Sequence, residues 1–448
     1  MPARLGLVFF LASHLISAAD HDPVQVLQRV TQSVRASVRD IPNYTCVQTV
    51  NRDYFGPMAS TLPRACDVLL EQRRHPTLDM VLRPYSTDRL RLDVTMVGRG
   101  EIFSWSGASR FEDTDIDHVV HTGPISTGSF GSFLAAVFET DVKKFNFERT
   151  IPAGDRTLLE YSFQVPKTDS HYKMKADKSF VAVAYMGTFT VDPETADVIS
   201  MTIITGDLPL ATRACQTTTT MDFTRVQIGE GQFLLPKQAR QRFIYPNAEE
   251  VENTTGFTNC REFRGNSTVT FSPAALPMSE PAKGASTQLP SLPPGLRFSL
   301  VLTAAIPTGA AAAGDPFSAK LADALRDVKG KVLAPKGALV EGRLMRVQCY
   351  RRPPESIIVL KPEKLWVRGA AVPLSAARDW TLVLTDRARQ GKKGIEILVP
   401  LRGEDNSGVF RFSGDPFTVP AGFRSEWRTV SSSTTDTLAN RLSSPRPL

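Results

Sequence analysis

The densest set of side chains able to do chemistry is Glu112, Asp113, Asp115, Asp117, His118 and His121. Placed on a strand, Asp113, Asp115 and Asp117 share one face, because side chains alternate with period two. Calcium-loop spacing is not met: His118 stands where the loop needs glycine, and Pro124 where it needs the closing acid. His118 and His121 are not at the spacing of a zinc-binding helix. No metal or cofactor is therefore assigned, and the cluster reads as a solvated acidic loop. A serine hydrolase needs Gly-x-Ser-x-Gly, and none is present. Ser129, in Gly128-Ser129-Phe130-Gly131, comes nearest, but it stands where a helix cap is expected. His75, His118, His121 and His171 are scattered, and no phosphate-cradling glycine loop occurs. No catalytic residue is assigned, and the chain is read as non-enzymatic, with a hydrolase as the weakest alternative.

The cysteines carry redox chemistry, and their meaning depends on compartment. Arg4 precedes the apolar run Leu5–Ile16, and Ser17-Ala18-Ala19 offers small residues for cleavage. Residues 1–19 read as a secretory signal peptide, too short to anchor in a bilayer. Export to the periplasm or outside the cell makes disulfides available to Cys46, Cys66, Cys215 and Cys260. The favoured pairs are 46–66 and 215–260, which leaves Cys349 as a thiol buried in the second domain; four cysteines allow three pairings. Asn43-Tyr44-Thr45, Asn253-Thr254-Thr255 and Asn266-Ser267-Thr268 match glycosylation acceptors, expected to stay bare in a bacterial periplasm.

The elements that position these groups are mostly strands. Asp22-Pro23 caps a helix whose Val24, Leu27, Val30, Val34 and Val38 recur at helical spacing, and Pro42 stops it. Strands are expected at 44–54, 65–71, 89–97 and 101–107, with a second helix over Ser129–Thr140 capped by Ser129 and Ser132. The stretch Leu158–Thr205 reads as an antiparallel meander of three strands with one apolar face: 159–165, 181–191 and 199–203. Strands at 213–226, 232–245 and 258–271 complete a first unit, residues 20–273. Residues 274–295, with Pro277, Pro281, Pro290, Pro293 and Pro294, read as a semi-stiff linker. Short strands over 296–430 suggest a small β-sandwich or barrel, with 317–326 open between helix and strand; 431–448 reads as a disordered tail.

Composition is that of a globular chain, 42% hydrophobic and 22% charged over 448 residues, with a formal charge of +7. The basic runs are short and lack interleaved aromatics, so nucleic acid is excluded as a partner. No run after the signal spans a bilayer.

Residues 20–273 resemble the lipoprotein-carrier half-barrel family of the bacterial periplasm and its sensor relative. The resemblance lies in the layout, in Ile41-Pro42-Asn43-Tyr44, in the helix start over Gly128–Phe138, in Tyr161-Ser162-Phe163-Gln164-Val165-Pro166, and in Gly187–Ile203 with its Asp-Pro turn. It implies a mainly β fold: a curled antiparallel half-barrel packed on helices, enclosing an apolar site for acyl chains. Residues 296–430 are similar, in Gly314-Asp315, Pro335-Lys336-Gly337 and Gly342, to the β-barrel of type IV secretion outer-membrane-complex proteins. The residues placed at the acyl site are Phe130, Phe133, Leu134, Val137, Phe138, Phe163 and Phe189. The same set also reads as ordinary core. A cavity of about 300 Å³ or more favours a lipid or lipidated-protein binder, whereas a solid core favours a two-domain envelope scaffold whose partners are other envelope proteins.

Overall fold

The computed structural model describes residues 21–41, 43–57, 65–75, 81–97, 100–108, 111, 116–177, 179–262, 292–378, 381–387, 392–398, 400–414 and 416–431. The expected signal peptide, nearly all of the expected linker and all but the first residue of the tail lie outside them.

The fold is mainly β. The first helix, α1 (Pro23–Asp40), starts where the sequence places it: Asp22 Oδ1 accepts the Val24 N–H at 3.0 Å. Its Val26, Val30 and Val34 are buried on one stripe. The strands then form one antiparallel sheet, not closed into a barrel. Strand β1 (Tyr44–Pro57) pairs with β2 (Leu82–Val97), which carries β3 (Gly100–Trp105) on its other side. The meander follows as β4 (Phe145–Ala153) and β5 (Arg156–Val165), a small hairpin of β6 (Lys173–Ala176) and β7 (Ser179–Ala182), then β8 (Tyr185–Asp192) and β9 (Asp197–Thr205). Strands β10 (Gln216–Ile228), β11 (Gly231–Ile244) and β12 (Glu250–Glu262) return the sheet to β1, giving the order β4-β5-β8-β9-β10-β11-β12-β1-β2-β3.

Several expectations are corrected. Residues 65–71 form no strand: Cys66–Arg74 is a helix, α2. Leu, Glu, Gln and Arg are good helix formers, and only Leu69 of this segment is fully buried, so no alternating burial favours a strand. The stretch 181–191 is two strands, because β7 turns back on β6 before β8 begins. Between β3 and the meander lie two short helices, α3 (Ile116–Val119) and α4 (Ser132–Ala135). The latter continues as a π-helical turn, Ala136–Asp141. Neither serine caps α4; no side chain of its own capping residue, Gly131, is available, and the cap comes from elsewhere.

The disulfides are Cys46–Cys260 and Cys66–Cys215, not the favoured 46–66 and 215–260. The cause is topological. The partners of β1 are β2 and β12, and Cys46 lies opposite the end of β12 at a bulge, with Cα atoms 4.1 Å from those of Cys260. Helix α2 lies outside that pairing and meets the entry to β10, with Cα atoms of Cys66 and Cys215 5.1 Å apart. Cys349 is in neither bridge and is buried; its Sγ lies 3.7 Å from Ser356 Oγ.

Residues 292–431 build a second core on antiparallel strands, among them Arg297–Leu302, Pro316–Leu321, Leu339–Arg351, Pro354–Val367, Gly408–Ser413 and Arg424–Thr429. Phe298, Leu300, Val340, Ile358, Phe410 and Trp427 fill it. The segment 317–326 is two strands, Pro316–Leu321 and Leu325–Arg326, with a bend between them. The two short strands expected at 357–360 and 364–367 are one. Strand β2 joins the halves. Asp88, Thr87 and Ser86 pair with Gln348, Cys349 and Tyr350. The Arg91 N–H donates to the Ala313 carbonyl at 2.7 Å and the Ala313 N–H to the Arg89 carbonyl at 2.8 Å, and Arg91 pairs with Asp315.

Candidate functional site

Directly opposite residues of an antiparallel pair share a face, so the register can be followed across the sheet as rows. One row runs Arg52–Asn253–Gln241–Thr219–Ile203–Gly187–Phe163, and the next Val50–Thr255–Ala239–Met221–Met201–Phe189–Tyr161. Along the first row the inner face is polar on β1, β12, β11 and β10 and apolar on β9, β8 and β5; along the second, Thr255 is the one polar residue before Tyr161. At Gly187 a Cβ would strike the Thr202 carbonyl and come within 2.6 Å of the Phe163 ring, so glycine gives that ring its place.

The apolar half is covered by α1 and the segment 132–141. Phe189 stacks on Tyr161 with centroids 5.3 Å apart, Phe138 meets Phe189 at 5.1 Å and Phe145 at 5.3 Å, and Phe133 sits edge-on to Tyr172 at 5.0 Å. Of the residues the sequence places at an acyl site, Phe133, Leu134, Val137, Phe138, Phe163 and Phe189 lie in this packed cluster, and Phe130 in the neighbouring one with Tyr44.

Phe130 and Leu134 lie elsewhere as well: both line an open apolar groove with a free volume of about 70 Å³. Its walls are the last turn of α1 with Val38 and Ile41 on one side, and Leu234, Leu235 and Pro236 of β11 on the other. Tyr44 and Met96 close one end, and Gly131 and Ala135 belong to the floor. A Cβ at Gly131 would touch Met96 Sδ at 3.7 Å and Tyr44 Oη at 3.9 Å, ordinary contacts, so a side chain can start there without a clash.

Glu101, on β3, fixes that floor. Its carboxylate accepts the backbone N–H groups of Gly128 (2.7 Å), Phe130 (3.0 Å), Gly131 (3.2 Å) and Ser132 (3.3 Å). It does for the α4 start what a capping side chain does locally. Burial pushes its carboxyl above the ordinary range, against the pull of those four donors. At the far end of the same segment, the buried Asp141 carboxylate takes the His171 N–H (2.9 Å), Tyr185 Oη–H (2.8 Å) and Thr140 Oγ1–H (2.8 Å), and bonds His171 Nδ1 (2.6 Å). Burial raises that carboxyl, and these hydrogen bonds outweigh it, so Asp141 titrates below its usual value.

The loop 120–129 covers the polar half. Arg52, 1% exposed, holds Asp88 through two bonds of 2.6 and 2.8 Å and donates to the Thr122 carbonyl at 2.6 Å. Asn253 Nδ2 donates to the Pro124 carbonyl at 3.0 Å, and Ser126 Oγ to Gln241 Oε1 at 2.7 Å. These bonds satisfy a loop backbone buried over a sheet. Asn253 is 2% exposed inside β12, out of reach of glycosylation.

Of the acidic cluster, Asp117, His118 and His121 are among the described residues. Residues 112–115 and Asn266 lie outside the described residues, Asp117 sits in α3 paired with Lys175, and among the described residues no three His, Cys, Asp or Glu side chains gather. Ser129 is buried. Sequence reasoning missed Glu101 and the β11 wall. Glu101 acts across more than 25 residues and leaves no local signal, whereas Leu234-Leu235-Pro236, a run that breaks alternation, was a readable one.

No family model matches the chain, and no curated protein matches it. Two solved structures do. A LolA superfamily protein from Nitrosomonas europaea matches over 54% of this chain and 93% of its own, at 11% identity and a TM-score of 0.24. A domain from Vibrio parahaemolyticus described as an outer membrane lipoprotein-sorting protein matches over 53% and 93%, at 8% identity and a TM-score of 0.27.

Proposed function

We propose that the chain is an exported, non-enzymatic protein of the cell envelope that binds a lipid or a lipidated chain, its acyl tail entering between the last turn of α1 and β11, over Phe130. The observation that carries this reading is the groove: apolar on its walls and floor, open at the surface, and floored by a segment that Glu101 holds from the far side. Burying an aliphatic chain there contributes about 0.8 kcal/mol per methylene. The groove as it stands takes the end of one chain, and a longer chain enters as the last turn of α1 moves outward. Two disulfides suit an exported protein. Organic extraction of the purified mature protein followed by mass spectrometry tests this. A stoichiometric acyl lipid supports it. A clean extract, with no uptake of added lipid, contradicts it.

A second reading, an interaction scaffold, is favoured by one observation: the groove's 70 Å³ is well below the roughly 300 Å³ of a preformed ligand cavity, and the cluster beneath is filled. The same extraction separates the two.

A further inference from the structure

The two halves differ in charge. Residues 20–273 hold 27 Lys and Arg against 31 Asp and Glu, whereas residues 296–430 hold 22 against 13, a net +9. Attraction to an anionic partner therefore resides in the second half. Part of that surplus gathers on one hairpin, Leu325–Arg326 with Val332–Ala334, and on the turn that follows it. Arg326, Lys329, Lys331 and Lys336 are exposed there, and no ion pair among the described residues includes them. Asp327 is the one acid of the hairpin, and its Oδ1 accepts the backbone N–H groups of Lys329 (2.9 Å) and Lys331 (2.8 Å).

Further bonds fix the tip. The Gly330 N–H donates to the Asp327 carbonyl at 3.0 Å, the Asp327 N–H to the Lys331 carbonyl at 2.9 Å, and Arg326 Nη1 to the Gly330 carbonyl at 2.9 Å. Gly330 supplies the positive φ, +83°, that closes the turn. Val328 is thereby held out at 93% exposure, with Val332 45% exposed on the returning strand. One exposed valine is ordinary. Two of them among four cations, on a turn held by its own hydrogen bonds, make a surface with both charge and apolar area. On such a surface the lysine and arginine heads reach lipid phosphates, while their stems and the valines enter the headgroup boundary. We propose that this hairpin docks the second half on a bilayer surface that carries anionic lipids, with Val328 seated between headgroups and acyl chains. Nucleic acid fits less well, because residues 325–338 hold no aromatic to stack on a base. The inference goes beyond acyl binding and does not depend on it, since the groove lies in the first half.

The test is co-flotation of the mature full-length protein with vesicles rich in phosphatidylglycerol, and with vesicles of phosphatidylcholine alone. Each cation near an anionic surface contributes roughly fivefold to partitioning. The wild type should bind the anionic vesicles about tenfold or more better than the neutral ones, and added salt should release it. Lys329→Glu combined with Lys331→Glu should weaken that binding about tenfold or more, and Val328→Ser about threefold. All three side chains are exposed, so the unfolding midpoint should not change. Gly131→Leu, altered in the groove, should bind the vesicles as the wild type does. No binding, equal binding to the two kinds of vesicle, or full binding by the double variant would overturn the proposal. Full binding by Val328→Ser would make the contact one of charge alone and overturn the seating of the tip. Loss of binding in Gly131→Leu, with the double variant unaffected, would assign vesicle capture to the groove and overturn the proposal as well.

Discussion

The Glu101 carboxylate accepts the backbone N–H of Phe130 at 3.0 Å across 29 residues of chain, and so one β3 side chain sets the height of the groove's floor. Its Oε1 also takes Gly131 and Ser132, and Oε2 takes Gly128.

Glu101→Gln removes the charge and turns one acceptor into a donor facing those N–H groups. Hydrogen bonds to a charged group contribute about 1.5–3 kcal/mol each, so the variant should lose at least about 2 kcal/mol of stability. Chemical denaturation measures it. A loss below the error of the measurement would remove the capping role.

Phe163→Ala tests the filled half of the sheet. Its ring is 1% exposed, so the cavity left behind should cost about 3–5 kcal/mol while acyl uptake stays unchanged. Urea midpoints and a lipid titration read the two effects separately.

Asp141 predicts an acid dependence. Its folded carboxyl titrates below the ordinary 3.8, so the folded chain holds its proton less tightly than the unfolded one. The stability it contributes is present above that value and is lost as the pH falls through the lower folded value. Asp141→Asn should be less stable than wild type at neutral pH and should show a shallower loss below pH 3.8, by denaturant midpoints across the acid range.

Peptide mapping under non-reducing conditions should return Cys46 joined to Cys260 and Cys66 to Cys215, with one thiol, at Cys349. The larger loop spans 214 residues, and its closure contributes roughly 5 kcal/mol on the chain-entropy account. Recovery of 46–66 would contradict the arrangement in which Cys46 lies at the end of β12 and Cys66 at the entry to β10.

Local patterns were legible in the sequence, and long-range closures were not. The helical spacing of α1 and the alternation of β5, β8 and β9 are written into consecutive residues; Val30 and Val34 are buried as read, while Val24 is exposed and Val26, outside the stripe read from the sequence, is buried instead. Whether Phe163 fills a core or lines a pocket depends on what crosses above it, which alternation does not encode. The disulfide pairing failed for the same reason: nearness in sequence suggested 46–66, while the sheet brings β12, more than 200 residues later, alongside β1. Glu101 was invisible because its partners are backbone N–H groups, which every sequence has. All seven residues are buried in core clusters, and Phe130 and Leu134 also line the groove, while past Ala135 the π-helical turn carries Phe138, which meets Phe189 of β8.

Acyl insertion between α1 and β11 is tested most directly by titrating the mature protein and its Gly131→Leu variant with a fluorescent long-chain acyl probe. The new side chain has room at its first carbon and extends into the groove, so the fold should persist. The account predicts saturable binding near one probe per wild-type chain, weakened about tenfold or more in Gly131→Leu at unchanged unfolding midpoint. No saturable binding by the wild type, or equal binding by the two proteins, would contradict it.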